Sequence, residues 1–159
     1  MYVPEFDPEK SGAIAVGIDV IEIHRIERSL AEFGQRFLDR VYTAAEQSRF
    51  GDRPNELAGR FAVKEATSKV LGTGIRGIRW KEMEVLTNRR GKPVLVLHGS
   101  AAVRAELLGL NEFSVSITHS RTDAVAIVVG LTTAPECVDE GRSSTTASDR
   151  ARLMERAKE

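Results

Sequence analysis

The feature that most constrains the fold is one long helical segment. Residues 55–71 follow the turn Asp52-Arg53-Pro54 and are closed by Gly72, which predicts the longest helix of the chain. A helix of this length needs an apolar surface to lie against. The short apolar runs on either side of it predict strands, so we expect an α+β fold in which a mostly antiparallel sheet packs against the long helix.

The strands are expected in two hairpins and one leading strand. Residues 13–18 form a short apolar run that predicts a buried strand ending at Asp19. Residues 80–87 and 93–98 flank a turn that contains Gly91, and residues 113–118 and 124–129 flank a second turn. Each pair therefore predicts an antiparallel hairpin.

Shorter helices are expected between these strands. Apolar positions recur at helical spacing over residues 21–33, and Gly34 ends the pattern. Thr43 and Glu46 have the spacing of a capping box, which predicts a helix that begins there. Ser100 can cap a further helix that runs to residue 108.

Length and composition predict a single domain. The chain has 159 residues, 42% of them hydrophobic, which suffices for one core. After Gly130 the sequence becomes rich in threonine, serine, arginine and glutamate, a composition typical of disorder. We therefore predict a flexible leader over residues 1–12, one domain over residues 13–131 and a disordered tail over residues 132–159.

The charge balance excludes a general affinity for polyanions. Lysine plus arginine and aspartate plus glutamate number 23 each, so no global field favours nucleic acid or an anionic membrane. The sequence has no signal peptide and no apolar run of membrane-spanning length. The single cysteine, Cys137, cannot form an internal disulfide, which fits a reducing cytoplasm. We expect a cytoplasmic protein that binds neither nucleic acid nor membrane.

Two clusters carry acids that suit metal chemistry. Asp19 in Gly17-Ile18-Asp19 could hold a hard cation at the sheet edge, or it could cap the following helix. Helical spacing places Glu65, Ser68 and Lys69 on one face of the long helix, which is also the pattern of an exposed ion pair. Arg60, Lys64 and Lys69 are expected to surround the Glu65 carboxylate, a mixture that suits a phosphate and magnesium.

Two further clusters are weaker. Gly72-Thr73-Gly74 could approach a phosphate, but glycines also end helices, and a helix C-terminus repels an anion. Residues 116–120 place polar groups where a strand meets a turn, and His119 could bind a ligand or simply lie on the surface. The sequence has neither a Walker loop nor a Rossmann fingerprint, and its histidine spacing does not indicate zinc.

The order of these motifs resembles the holo-acyl-carrier-protein synthase family. The resemblance runs from about residue 15 to residue 129 and rests on the following segments: Gly17-Ile18-Asp19 with Arg25-Ile26, residues 58–69 with Phe61, Lys64, Glu65, Ala66 and Lys69, Gly72-Thr73-Gly74-Ile75, Gly91-Lys92-Pro93, and Ser116-Ile117-Thr118-His119-Ser120. The sequence departs from the family in its longer leader and tail and in Arg90, where asparagine is frequent.

The resemblance implies the 4′-phosphopantetheinyl transferase fold and a reaction between coenzyme A and an apo acyl carrier protein. Asp19 and Glu65 would bind Mg²⁺, Glu65 and Lys69 would be catalytic, and the proton of the carrier serine would pass to Glu65 or to a metal-bound water. The coenzyme contacts would be Arg60, Lys64, Lys69, Gly91, Pro93 and His119. Arg25 and Arg36 would dock the acidic carrier protein, and three chains would assemble as a homotrimer.

Two other functions fit the same residues. One is a nucleotide-directed phosphotransferase that uses the same acids and lysines. The other is a non-catalytic module that holds coenzyme A or an anionic partner. The sequence also leaves open whether the carrier belongs to fatty acid or polyketide biosynthesis.

Overall fold

The computed structural model describes residues 14–133 as one α+β unit. The elements along the chain are β1 (Ile14–Glu22), α1 (Ile23–Phe33), α2 (Gln35–Val41), α3 (Ala44–Phe50), α4 (Pro54–Val70), a short 3-10 turn (Trp80–Glu82), β2 (Met83–Thr87), β3 (Pro93–Leu97), α5 (Gly99–Leu107), β4 (Glu112–His119) and β5 (Asp123–Leu131). The predicted leader, residues 1–12, and the predicted tail beyond Thr133 lie outside the described residues.

The strands are antiparallel and include both predicted hairpins, but they form two separate sheets and not the single sheet expected. One has the order β1-β5-β4, and the other is the β2–β3 hairpin. In the larger sheet Ile18 lies opposite Ile127, which in turn lies opposite Ser116. Because side chains alternate along a strand, these three residues share one face and their neighbours share the other.

The two faces of the larger sheet differ in what covers them. On the inner face, Gly17 and Ile21 of β1 are buried, and this face packs against α4. On the outer face every second residue of β1 is an exposed aliphatic side chain, 58–62% accessible: Ile14, Val16, Ile18 and Val20. The outer face is completed by β5 residues Val125, Ile127, Val129 and Leu131, and by β4 residues Glu112, Ser114, Ser116 and Thr118.

Helix α4 lies closer to β1 than a side chain would permit. A Cβ atom added at Gly17 would overlap the carbonyl oxygen of Ala66. Gly59, one of the buried small residues on α4, instead makes room for the Ile117 side chain of β4, because an added Cβ atom would lie 2.8 Å from Ile117 Cγ2. The glycine at the β1 crossing therefore lets the helix backbone rest on the strand, and Gly59 lets a β4 side chain pack against the helix.

A buried ion pair connects α4 to the smaller sheet. The ammonium of Lys64 lies 2.9 Å from Glu46 Oε2, and neither side chain is accessible to solvent. Glu46 also accepts hydrogen bonds from the backbone N–H groups of Thr43 and Val85. The capping box predicted at Thr43 and Glu46 is present, and its glutamate therefore also binds a lysine 18 residues away.

Several predicted boundaries were wrong. β1 continues to Glu22, so Asp19 lies within the strand and does not cap α1, whose N-cap is Glu22. The predicted end of α1 at Gly34 is confirmed, and residues 35–41 form a further helix, α2, that was not predicted and that carries Arg36. Helix α5 begins at Gly99 with His98 as its N-cap, so Ser100 lies inside the helix. Residues 80–82 form the 3-10 turn, and the strand begins only at Met83.

Within residues 14–133 no helix is long and apolar enough to cross a membrane.

Candidate active site

The centre of the candidate site lies where β1 crosses α4. The inner-face position of Asp19 on β1 follows from strand alternation, two residues beyond Gly17. Glu65 precedes Ala66, whose carbonyl abuts Gly17, so the two carboxylates come from elements whose backbones are in close contact. The two acids singled out in the sequence are therefore brought together.

The environment of Glu65 disfavours its charged form. Burial raises the pKa of its carboxyl above the ordinary 4.5, and the nearby charge of Asp19 raises it further. Lys69 and Arg25 act in the opposite direction on the same pKa. Two carboxylates that repel one another across a partly buried site are an arrangement that a divalent cation stabilises.

Lys69 pairs with Asp19. The alternative interpretation, an exposed ion pair between Lys69 and Glu65, is not what the structure has. The Lys69 ammonium donates to Asp19 Oδ1 at 2.8 Å and to the carbonyl oxygen of Ile18 at 2.6 Å. The lysine side chain is 51% exposed, whereas the Asp19 side chain is 18% exposed. Ser68, predicted on the same face, is buried, and its hydroxyl donates to the carbonyl oxygen of Glu65.

The donor set fits a hard divalent cation. Asp19 and Glu65 offer carboxylate oxygens, the ligands that Mg²⁺ prefers, and Mg²⁺ usually keeps several waters and binds through one or two carboxylates plus phosphate oxygens. Among residues 14–133 no group of three or more histidine, cysteine, aspartate or glutamate side chains is placed to hold a metal. The residues present therefore suit a metal that a phosphorylated substrate helps to bind.

Lys64 is not placed to contact a coenzyme. Its ammonium is buried and donates to Glu46 Oε2, to the carbonyl oxygen of Trp80 and to that of Met83. These three acceptors use all three of its protons. The expectation that Lys64 surrounds Glu65 overlooked the 100° that separates consecutive residues on a helix, which turns Lys64 into the core.

Arg60 is also placed differently from the prediction. The residue is 4% exposed, and its guanidinium pairs with Glu56 and lies 3.4 Å from the ring centroid of Phe50. One Nη donates to Thr87 Oγ1 at 3.2 Å, where β2 enters the turn of the β2–β3 hairpin, while Nε has no hydrogen-bond partner among the described residues. Burial lowers the pKa of the guanidinium, and Glu56 opposes that effect.

The other predicted coenzyme contacts lie at two places. His119, at the end of β4, lines a cavity of about 380 Å³ with the following residues: Glu27, Asp52, Arg53, Pro54, Asn55 and Glu56. Gly91 lies in the β2–β3 turn with a φ of 83°, a conformation that favours glycine, and Pro93 opens β3 opposite Thr87. Arg60 reaches this hairpin through Thr87, so it lies between the two places.

Both predicted docking arginines are exposed, on different helices. Arg25 lies on α1, and its charge lowers the pKa of Glu65, so it is also a neighbour of the acid pair. Arg36 lies on α2 and borders a cavity of about 370 Å³ whose lining is largely aromatic and aliphatic: Ser29, Phe33, Arg36, Phe37, Arg40, Val41, Phe61 and Trp80. Phe61 and Trp80 stack with ring centroids 4.8 Å apart.

Sequence reasoning missed three residues at these sites. Arg53 lines the same cavity as His119, and Arg40 lines the same cavity as Arg36. In the sequence, Arg53 has the pattern of an exposed cation in a turn and Arg40 that of an exposed cation near a helix end. Glu46 was recognised only as the acidic residue of a capping box, at position N3 of the helix. No local pattern could have shown the ion pair with Lys64, since 18 residues separate the partners.

Comparison with known proteins identifies the family. Residues 15–129 match the family described as the 4′-phosphopantetheinyl transferase superfamily. The chain belongs to this superfamily. The resemblance predicted from the motif order is therefore confirmed over the same residues.

Named relatives are similar over nearly their whole length. The holo-[acyl-carrier-protein] synthase of Herpetosiphon aurantiacus is 46% identical over 125 residues, which are 74% of this chain and 98% of that protein. The holo-[acyl-carrier-protein] synthase of Solidesulfovibrio magneticus is 48% identical over 116 residues, 72% of this chain and 94% of that protein.

A solved structure has the same fold. The Helicobacter pylori holo-[acyl-carrier-protein] synthase in complex with coenzyme A superposes with a TM-score of 0.67 at 30% identity, covering 72% of this chain and 98% of that one. The predicted α+β fold with an antiparallel sheet against a long helix is thus confirmed.

Proposed function

We propose that this chain transfers the 4′-phosphopantetheine group of coenzyme A to a serine of an apo acyl carrier protein in fatty acid biosynthesis. The observation that carries the proposal is the meeting of Asp19, Glu65 and Lys69 where β1 crosses α4, in a chain of this superfamily. The high coverage of relatives named holo-[acyl-carrier-protein] synthase supports the same activity.

The acid pair would hold Mg²⁺ against the pyrophosphate of the coenzyme. Bound there, the cation supplies charge neutralisation for the leaving group. The serine Oγ–phosphorus bond forms as the bond from phosphorus to the bridging pyrophosphate oxygen breaks, which releases adenosine 3′,5′-bisphosphate. The proton of the carrier serine would pass to the Glu65 carboxylate or to a water held by the cation.

The remaining coenzyme contacts are those that the resemblance implies, without the groups that the core buries. Lys69 would face the pyrophosphate and His119 the nucleotide end, with Gly91 and Pro93 on the adenine side. Lys64 is left out because its three protons are used inside the core. Arg60 would contact a phosphate only if the phosphate replaced the Glu56 carboxylate as its partner.

The carrier protein would dock on α1 and α2. Arg25 and Arg36 supply exposed cations for an acidic carrier, and the cavity beside Arg36 offers an apolar wall of Phe33, Phe37 and Phe61. An apolar side chain of the carrier could fill this cavity while acidic groups pair at its rim, the usual division of an interface into core and rim.

The chain would act as a homotrimer in the cytoplasm. The outer face of the larger sheet exposes Ile14, Val16, Ile18 and Val20, and an apolar patch of this kind marks an interaction surface. A second copy of the chain offers a matching apolar face.

The test is the mass of the carrier. Incubation of purified apo acyl carrier protein with coenzyme A, Mg²⁺ and the enzyme should add one phosphopantetheine group and release adenosine 3′,5′-bisphosphate. Asp19→Asn and Glu65→Gln keep the side-chain shape while removing charge, so both should remain folded and lose at least about 100-fold in kcat.

Three outcomes would contradict the proposal. Transfer at the normal rate in EDTA would show that the reaction does not require a metal. Binding of coenzyme A without transfer would indicate a non-catalytic module. Release of product from free nucleotides alone would indicate a different phosphotransferase. A parallel assay with a polyketide carrier decides which carrier is preferred.

A further inference from the structure

The inference concerns the ion pair between Lys69 and Asp19, and it rests on the proposed function. Lys69 Nζ lies 2.8 Å from Asp19 Oδ1, an oxygen of one of the two carboxylates that fit the metal. We propose that Lys69 is an internal counter-ion that the metal displaces from Asp19, and that this exchange frees its ammonium for the pyrophosphate of the substrate.

Lys69 and a metal ion would compete for one carboxylate. Asp19 is the smaller and more enclosed of the two partners, with 18% of its side chain exposed, and it lies within β1. A divalent cation on this carboxylate would lie within a few ångströms of the Lys69 ammonium if the ion pair persisted. Like charges this close repel strongly in a partly buried site, so the two cations exclude one another.

Lys69 is able to move. Its side chain is 51% exposed, and its two acceptors are the Asp19 carboxylate and the carbonyl oxygen of Ile18. Lys64, five residues earlier on α4, is by contrast buried with three acceptors. A flexible four-carbon stem with an exposed ammonium can turn toward a new anion without any change in the helix.

The charge balance of the site also favours the exchange. Asp19 and Glu65 are two neighbouring acids, and the charges of Lys69 and Arg25 favour the ionised form of Glu65. Arrival of a divalent cation makes these two cations redundant as counter-ions. The pyrophosphate of coenzyme A restores the negative charge, so the metal and the coenzyme should bind cooperatively through Lys69.

Metal binding to the free enzyme tests the exchange directly. Mn²⁺ affinity, measured by electron paramagnetic resonance without coenzyme, should increase about three- to tenfold in Lys69→Met, because a competing cation is removed from a half-exposed site. Lys69→Arg keeps the charge and should bind Mn²⁺ no more tightly than the wild type. Lys81→Met removes an exposed lysine of the 3-10 turn and is the matched control. The gain in Mn²⁺ affinity that coenzyme A produces in the wild type should shrink in Lys69→Met.

The reactivity of the ammonium is a second readout that does not depend on activity. Competitive acetylation followed by mass spectrometry should show Lys69 more reactive when Mg²⁺ is present and protected again when coenzyme A is added, while Lys81 stays unchanged. Mn²⁺ affinity of Lys69→Met equal to or below that of the wild type would overturn the exchange, as would Lys69 reactivity that is insensitive to Mg²⁺. Loss of metal-dependent transfer in the wild type would instead overturn the proposed function.

Discussion

At the scale of single residues, adjacent positions on α4 have opposite roles. Glu65 faces the candidate metal site, whereas Lys64 is fully buried in an ion pair with Glu46. Both are charged, so composition does not distinguish them. The 100° between neighbouring side chains on a helix does, because only one can face the strand that carries Asp19.

The ionised Glu65 carboxylate is expected to serve metal binding and to lower the stability of the metal-free fold. Its pKa is raised in the folded protein, so its ionisation costs folding free energy above that pKa and costs nothing well below the ordinary 4.5. Glu65→Gln in EDTA should therefore be at least as stable as the wild type at pH 7, and its relative advantage should disappear as the pH falls toward 4. Thermal unfolding across this pH range is the measurement. A clear loss of Tm at pH 7 would show that the carboxylate stabilises the fold.

Lys64 is predicted to matter for stability instead. Lys64→Met leaves the buried Glu46 carboxylate without its counter-ion, which should cost about 3–5 kcal/mol in unfolding free energy. Glu46→Gln in the same background removes the unpaired charge and should recover part of that loss. Urea denaturation compares these variants with Lys81→Met, a surface control expected within about 0.5 kcal/mol of wild type. Full stability of Lys64→Met would show that the pair is dispensable.

Arg25 is predicted to steer the carrier. Arg25→Glu should raise the KM for the carrier several-fold at low salt, and the effect should fade as screening shortens to about 8 Å at physiological ionic strength. The KM for coenzyme A should change less. Steady-state kinetics with each substrate varied will decide, with Arg28→Glu on the same helix as the control. Because Arg25 also lowers the pKa of Glu65, a shift in the pH profile should accompany the change. An unchanged carrier KM at low salt would exclude docking.

At the scale of elements, the crossing of β1 and α4 determines the site. Gly17 has no side chain to separate the strand from Ala66, and the close approach places Asp19 beside Glu65. Gly17→Ala should therefore destabilise the fold by about 1–3 kcal/mol and weaken Mn²⁺ binding.

Gly130→Ala is the matched control for this crossing. It adds the same methyl group to β5, where the nearest atoms are side-chain carbons of Val70, Leu110 and Phe113 at 3.1–3.2 Å, which can adjust. Denaturation and Mn²⁺ titration of both variants should show a loss of metal affinity only for Gly17→Ala. Equal effects would mean that the crossing does not position the acids.

The elements predicted well were those with strong local signals. The capping box at Thr43, the closing Gly72 and the two hairpins were all anticipated from residues close in sequence. The predicted end of β1, at Asp19, was too early, because the strand continues to Glu22. Without knowledge of its partner Lys69 on α4, Asp19 has the pattern of a helix N-cap. The burial of Lys64 depends on Glu46, 18 residues away, which no local pattern contains. Arg60 and Glu56 have the local spacing of a helical ion pair, but the burial of Arg60 depends on distant contacts with Phe50 and Thr87.

At the scale of the whole molecule, the outer face of the larger sheet predicts self-association. Four exposed aliphatic residues follow one another along β1 on this face. Val16→Lys should disrupt a trimer and give a monomer by light scattering coupled to size exclusion. Val103→Lys, at an equally exposed apolar position on α5, should leave the mass unchanged. A wild-type monomer, or a Val16→Lys trimer, would contradict assembly through this sheet face.

The close contact between α4 and the strands also limits how the gene can change length. A residue inserted within α4 would rotate everything beyond it by about 100°, which would carry Glu65 away from Asp19 or Lys64 out of the core. The turn over residues 72–77 bears less of this constraint, since a Cβ atom added at Gly72, Gly74 or Gly77 would meet no neighbouring atom, whereas Leu71 and Ile78 on either side are buried. We therefore expect length differences among homologous sequences to occur in the turn after α4 and to be absent from α4 itself.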